Sequence, residues 1–250
     1  MDNFITSTLR LGERVSLVLW LIDQYTALGC NEPDISVYLN GKPAAFQRKA
    51  GGYLVFTELP KERYQVRIVS KRYLSEEFNL HLDDLDPKEP VYWAALKPSP
   101  IYEFKTGATL VRTSVFGADG NPAADAVLTA TLLNDNCARA RLGKQGTAAA
   151  NLELPLVDVN GPFAPGDLLE ISANNNETKE ICEMASMGVG EGVYRINKPL
   201  LNDHVRGELL MPVVSTRPDE RGEAVLAFRN FRQHNCDILI EALFEDRRQE

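Results

Sequence analysis

An all-β fold in more than one module is predicted for this chain, and three observations carry the prediction. Short segments rich in Val, Leu, Ile, Tyr and Phe alternate apolar and polar residues with a period of two. Turn signals punctuate them: Asn40-Gly41, Gly51-Gly52 and Asp119-Gly120-Asn121-Pro122. Helical patterns are almost absent, with room for one short turn at most in the acidic stretch Leu80 to Asp86. The length, 250 residues, suits two or three small domains at roughly 100–150 residues each. Apolar residues make up 44% and charged residues 25%, an ordinary globular balance that excludes a disordered, collagen-like or coiled-coil chain. Lys and Arg number 27 against 35 Asp and Glu, a net charge of −8. An acidic chain of pI near 5.1 is a poor partner for nucleic acid, whose phosphates call for a basic face.

Taken in order, residues 14–22 (RVSLVLWLI) read as a buried strand. Asp23 to Pro33 is a loop. Asp34 to Leu39 alternates and runs into Asn40-Gly41, a hairpin signal because both central positions of a type I′ turn take φ > 0; Ala44 to Lys49 is the expected return strand. Gly51-Gly52 turns the chain into the strand Tyr53 to Thr57. After Glu58 to Glu62, Tyr64 to Ser70 alternates, with Tyr64, Val66, Ile68 and Ser70 on one face. Val91 to Leu96 closes the region. Lys97-Pro98-Ser99-Pro100 cannot continue a central strand and is read as an ordered but exposed linker between modules. Beyond it, Thr109 to Phe116 and Ala126 to Leu133 are strands on either side of a dense turn.

Gly51 to Tyr73 (GGYLVFTELPKERYQVRIVSKRY) can be laid over Arg221 to Phe244 (RGEAVLAFRNFRQHNCDILIEALF). Phe56 matches Phe228, and Leu59 matches Phe231. Tyr64, Val66 and Ile68 match Cys236, Ile238 and Ile240. Each segment is a strand ending in an aromatic, a polar turn and an alternating strand that returns antiparallel.

Both segments resemble the second half of carboxypeptidase regulatory-like domains, the small transthyretin-like β-sandwiches, in which a Leu-Pro turn precedes a Y-x-V-x-V strand. Val111 to Leu133, a strand, a D-G-x-P turn and a second strand, resembles the family's first half. The resemblance therefore implies that the second copy is interrupted. The intervening stretch holds FAPGDLLEIS (Phe163 to Ser172), ETKEICEM (Glu177 to Met184) and GVYRINKPLLNDHVRGELLMPV (Gly192 to Val213). It resembles a small β-barrel common in phage-tail, appendage and bacterial surface proteins. Gly166, Asp167, Glu177 or Glu180, Ile181, Pro199-Leu200, His204 and Gly207 fill that pattern, with Ile196 where Leu is usual. These likenesses cover most of 34–73 and 111–244; residues 1–33 and 74–108 have no strong match. The expected architecture is thus two Ig/transthyretin-like β-sandwiches, the second interrupted by an inserted small β-barrel. The expected modules are 1–97, then 101–139 with 214–247, and the insert 140–213; insertion is tolerated at exposed loop tips.

Candidate sites are sparse. Asp203-His204 could be a catalytic pair, but neighbours on a strand point to opposite faces and no G-x-S-x-G accompanies them, so a turn histidine bonding backbone is expected. His81 with Asp83, Asp84 and Asp86 offers metal-ligand types without an EF-hand loop and is read as a solvated acidic loop. Gly188 to Gly192 lacks the Lys-Ser/Thr of a phosphate loop and reads as a hairpin loop. His234 and Cys236 share a strand face, but Cys236 is expected to be buried in place of Tyr64. Tyr92, Trp93, Tyr102 and Phe104 flank the linker and form the candidate partner or ligand surface, against the simpler role of cementing modules. Cys30, Cys137, Cys182 and Cys236 form no C-x-x-C and are expected to be reduced and packed as small hydrophobes.

Val15 to Ile22, the longest apolar run, falls short of the about 20 residues of a membrane span, and no secretory signal is read. The Asn176-Glu177-Thr178 sequon is discounted accordingly. A cytoplasmic or particle-bound location is expected. The expected function is that of a non-enzymatic structural or adaptor protein of a multi-protein assembly, of the phage-tail or contractile-injection kind, with other subunits or its own copies as partners. No catalytic residue, metal or cofactor is expected, nor membrane insertion. A carbohydrate- or surface-ligand-binding β-module is the alternative, and a hydrolase with an unrecognised site the third.

Overall fold

The structure, a computed structural model, describes residues 14–143, 146–172, 179–187, 192–229, 231 and 235–244. It is all-β. The first nine strands are β1 (Val15–Asp23), β2 (Leu28–Gly29), β3 (Ser36–Leu39), β4 (Lys42–Pro43), β5 (Gln47–Lys49), β6 (Tyr53–Thr57), β7 (Arg63–Val69), β8 (Glu76–His81) and β9 (Val91–Leu96). They build two facing sheets. One runs β5-β6-β1-β9, with β2 beside the end of β1; the other runs β4-β3-β7-β8. β1 is central, antiparallel to β6 and parallel to β9. Its Leu17, Leu19 and Leu21 point inward and meet Val66, Ile68, Phe56 and Leu96 in one core. Its Val18 and Trp20 point the other way and are only half-buried. The run expected to be buried is therefore an alternating strand with a second, partly covered face.

The hairpin at Asn40-Gly41 is present, with φ of 50° and 74°. Its return strand is shorter than expected. Lys42 and Pro43 pair with β3, one further bond runs from the Ala44 N–H to Val37 O (2.9 Å), and the chain then crosses to the other sheet as β5. Gly52 must be glycine: at φ 85°, a Cβ would lie 2.4 Å from the Leu21 carbonyl oxygen. The acidic stretch makes one 3-10 turn, Leu82–Asp84.

The linker departs from expectation. Pro98 and Ser99 are buried, not exposed. Ser99 donates its N–H to Arg72 O (2.9 Å) and its hydroxyl to Lys71 O (3.1 Å), and Pro98 bridges Tyr73. The prolines bar a strand, but the loop at 70–73 supplies the partners that solvent would have supplied.

Ten further strands follow: β10 (Thr109–Ser114), β11 (Val127–Leu132), β12 (Ala140–Leu142), β13 (Glu153–Val157) and β14 (Leu168–Ser172), then β15 (Lys179–Met187), β16 (Val193–Ile196), β17 (Leu209–Thr216), β18 (Glu223–Phe228) and β19 (Ile238–Leu243). β12-β13-β16-β15-β14-β17 close into a six-stranded barrel, because β17 pairs both β14 and β12. Leu142, Leu154, Ile171, Met184 and Leu210 fill it. β17 then continues: Leu209 to Val213 belong to the barrel, while Val213 to Thr216 pair with β11. The expected boundary between 213 and 214 thus falls inside one strand. β11 also pairs β19, and β10 pairs β18 as a separate two-stranded sheet. Leu128, Ala130 and Leu132 of β11 share a core with Ala224, Leu226 and Phe228 of β18.

The two matched segments differ at their ends. Tyr64, Val66 and Ile68 are buried. Of their counterparts, Cys236 and Ile238 are half-buried and Ile240 is 42% exposed. β7 faces a sheet built on three long strands and carries β8 on its other edge; β19 faces only the β10–β18 pair and ends its sheet. β7 alternates apolar and polar residues, whereas β19 (ILIEAL) is apolar at five of its six positions and has the narrower cover. In dilute protein, Ile68→Ala is expected to lower stability by about 2–5 kcal/mol and Ile240→Ala by less than about 1 kcal/mol, read from urea unfolding midpoints.

Candidate functional site

The outward face of the first sheet carries a row of aromatics. Trp20 is registered against Tyr53 on one neighbouring strand and Trp93 on the other. Residues in register on adjacent strands point to the same face, so the three rings stand side by side. Behind them, Val55, Val18 and Val91 repeat the arrangement one step along. The Trp20 and Tyr53 planes lie within 15° of parallel, with centroids 5.6 Å apart. That exceeds the roughly 3.5–4 Å of direct face contact, so the rings are offset and each keeps part of a face free. Trp20 is fixed by donating its indole N–H to Gly51 O at 3.1 Å.

The barrel forms the opposite wall. Phe163, Ala164 and Pro165 lead into β14, Met184 and Ala185 lie on β15, and Arg195 to Asn197 run out of β16. β15 bulges between Met184 and Ser186, the device by which a strand re-aims a side chain. Beside the cleft the barrel approaches β9 closely at Gly166: at φ +87°, its Cβ would come within 2.8 Å of Ala95 and 3.6 Å of Trp93. The resulting cleft holds about 740 Å³, within the usual range for small-molecule sites. Glu89, Arg195 and Asn197 edge it, exposed, and their side chains make no hydrogen bond or ion pair to another described residue.

The four aromatics flanking the linker do not form one surface. Trp93 belongs to this cleft and to a neighbouring one with Tyr92, Glu76 and Lys97. Tyr92 turns inward and stacks on Phe78 at 4.7 Å. Tyr102 and Phe104 join Tyr25 and Tyr73 elsewhere, around Asp23. The buried Asp23 carboxylate accepts from Tyr73 Oη (3.0 Å), Tyr102 Oη (2.6 Å) and the N–H groups of Tyr25 and Thr26. Burial, then this carboxylate's hydrogen bond and charge, raise the Tyr102 hydroxyl above its ordinary range. Phe104 carries the contact onward, with Arg112 of β10 5.9 Å above its ring. Trp20 was missed as a site residue because its apolar run reads as buried on both faces; the alternation of Leu17, Leu19 and Leu21 against Val18 and Trp20 is the signal that marks it.

His204 bonds neither as a turn histidine nor with Asp203, which accepts from the Ala149 N–H instead. Its fully buried ring lies between two carboxylates: Nδ1 is 2.7 Å from Glu208 and Nε2 is 3.1 Å from Glu180. Both ring nitrogens are therefore engaged by carboxyl groups. Glu180 also receives the N–H groups of Leu201 and Asn202 and the Asn202 amide, gathering the 199–208 loop onto β15. Burial alone would raise the Glu180 carboxyl, but the bonds from Leu201, His204 and Asn202 outweigh it and hold it below its ordinary range. No ring nitrogen is left to activate a nucleophile. The cluster fixes the barrel rather than offering a reactive group to solvent.

The remaining candidates scatter. His81 Nδ1 accepts from the Asp83 N–H, and Asp83 pairs with Lys61. Among the described residues no three His, Cys, Asp or Glu side chains converge as metal ligands. Cys30, Cys137 and Cys182 are buried and Cys236 half-buried, all free; burial, with the Glu180 charge, pushes the Cys182 thiol to about 12. His234, Gly188 to Glu191 and the Asn176 sequon lie outside the described residues. Asp167, read from sequence as part of a turn, is half-buried and pairs with Arg229 just beyond β18. No helix among the described residues is long and apolar enough to cross a membrane. No family model, curated protein or solved structure matches the chain.

His204→Ala leaves the buried Glu180 and Glu208 carboxyl groups without the partner they share, and a loss of about 3–5 kcal/mol is expected in chemical denaturation. The Glu180 pKa is depressed in the folded state, so its contribution is complete above its ordinary 4.5 and disappears as pH falls through the lower folded value. Glu180→Gln should therefore flatten that part of the acid limb of stability against pH, measured by urea unfolding at successive pH values.

Proposed function

We propose that this chain is a non-enzymatic adaptor of a multi-protein assembly, built of two transthyretin-like β-sandwiches with the small barrel inserted in the second. The matching of pairings supports the architectural part. β1–β6 and β10–β18 are antiparallel pairs in equivalent places, as are β3–β7 and β11–β19. The strands on either side of the barrel also contribute to one core. In the first unit β8 and β9 cover the outer edges of β7 and β1; among the described residues nothing occupies the corresponding places beside β19 and β10.

The observation that carries the functional part is β19 itself. It ends its sheet, and five of its six residues are exposed. Leu239, Ile240, Leu243 and the adjoining Phe244 are 38%, 42%, 69% and 54% exposed. An apolar, unblocked edge strand is a template for another strand, which supplies backbone hydrogen bonds along the edge and apolar contacts on both faces. Glu241 is its lone charge. Partners are other subunits of an assembly of the phage-tail kind, or further copies of the chain. In light scattering across a concentration series, the mass is expected to exceed the 27.8 kDa of one copy, and Ile240→Lys with Leu243→Lys to return it to that value. A mass that stays at one copy throughout removes the self-associating form of the proposal. A variant that still assembles removes β19 as its seat.

A further inference from the structure

We propose that the cleft between the aromatic row and the barrel binds a neutral carbohydrate, stacking pyranose rings on Trp20 and Tyr53 and bonding hydroxyls to Glu89, Arg195 and Asn197. This site is separate from β19 and does not depend on its role. A pyranose ring has a C–H face with a rim of hydroxyls, and the cleft has the complementary division. Its floor is aromatic and aliphatic, with the polar groups at its edge. Trp20, Tyr53 and Trp93 stand on adjacent strands, so the row spans roughly 10 Å at the usual strand spacing of about 4.8 Å, enough for more than one linked sugar.

The polar edge selects the ligand's charge. It presents one carboxylate, one guanidinium and one carboxamide, all unengaged among the described residues. A phosphate or carboxylate ligand would meet Glu89, and an ammonium would meet Arg195. A hydroxyl both donates and accepts, so an uncharged polyol can satisfy all three. A peptide strand is disfavoured for a different reason. The rings stand on the face of the sheet, where a strand would meet side chains and no backbone ladder; the unpaired edge of β9 runs in the plane of the sheet, beyond Trp93. The Trp20 indole is already held by its bond to Gly51, so little side-chain order is lost on binding.

The chain holds two tryptophans, and both line this cleft. Its intrinsic emission therefore reports on this site. Titration of the full chain with chitotriose, cellotriose and maltotriose is expected to give a saturable change in emission with at least one of them, matched by calorimetry, while sorbitol gives none. Trp20→Ala should weaken that binding about tenfold and Arg195→Ala several-fold, both by calorimetry, with circular dichroism verifying that each variant keeps the parent's β-fold, since neither side chain belongs to the core. The proposal fails if no trisaccharide binds up to about 10 mM, a concentration that would detect even millimolar affinity. It fails equally if Trp20→Ala binds as the parent does, or if an extended peptide occupies the cleft and the sugars do not.

Discussion

β17 belongs to two sheets at once, and the arrangement of the second half of the chain depends on it. Its first five residues close the barrel against β12 and β14, and its last four pair with β11. A strand cannot bend freely between two ladders of backbone hydrogen bonds, so the barrel is joined to the neighbouring sheet through a rigid element rather than a linker. Asp167 adds a second tie at the same end of the barrel, next to the Leu168–Val213 pair. Half-buried beside Arg229 and within the field of Arg139, it joins the start of β14 to the end of β18. Burial pushes its carboxyl up, and the two arginines pull the other way. Arg139 is itself enclosed, donating to Asn160 O and Pro162 O and lying over the Phe163 ring. Phe163 in turn lines the aromatic cleft, so the far wall of that cleft is set by the same contacts that hold the barrel in place.

Three buried carboxylates organise the loops. Asp23 collects two tyrosine hydroxyls and two backbone N–H groups, drawing the segment after the linker onto the first unit. Glu180 and Glu208 grip His204 from either side. In each place a desolvated charge would be costly alone, and each is compensated by several donors converging on it. These groups resemble catalytic residues in type but are spent on positioning. Among the described residues, an aromatic floor with a polar edge and the apolar strand β19 lie at the surface.

Two segments that can be laid over each other in sequence differ in cover. β7 pairs with β3 and buries alternate side chains, while β19 pairs with β11 at the end of its sheet and leaves five of its six residues exposed. The difference comes from the opposing layer, which is broad in the first unit and two strands wide in the second. Burial belongs to the pair of layers, not to either strand.

The all-β class, the Asn40-Gly41 hairpin and the strand at Val91 to Leu96 were legible in the residues themselves, and the small barrel was expected from a resemblance. Period-two alternation and positive-φ turns are properties of a few consecutive residues, so a reading of neighbours recovers them. The crossing of β5 to the opposite sheet, the burial of Pro98 and Ser99 and the outward aim of Trp20 were not legible, nor was the gathering of His204 with Glu180. Each depends on which distant segment supplies a pairing edge, a donor or a covering layer. Trp20 and Trp93 are 73 positions apart in sequence and in register in the sheet. Only the tertiary structure brings them together, because strand pairing, unlike alternation, is decided by the packing of the whole chain.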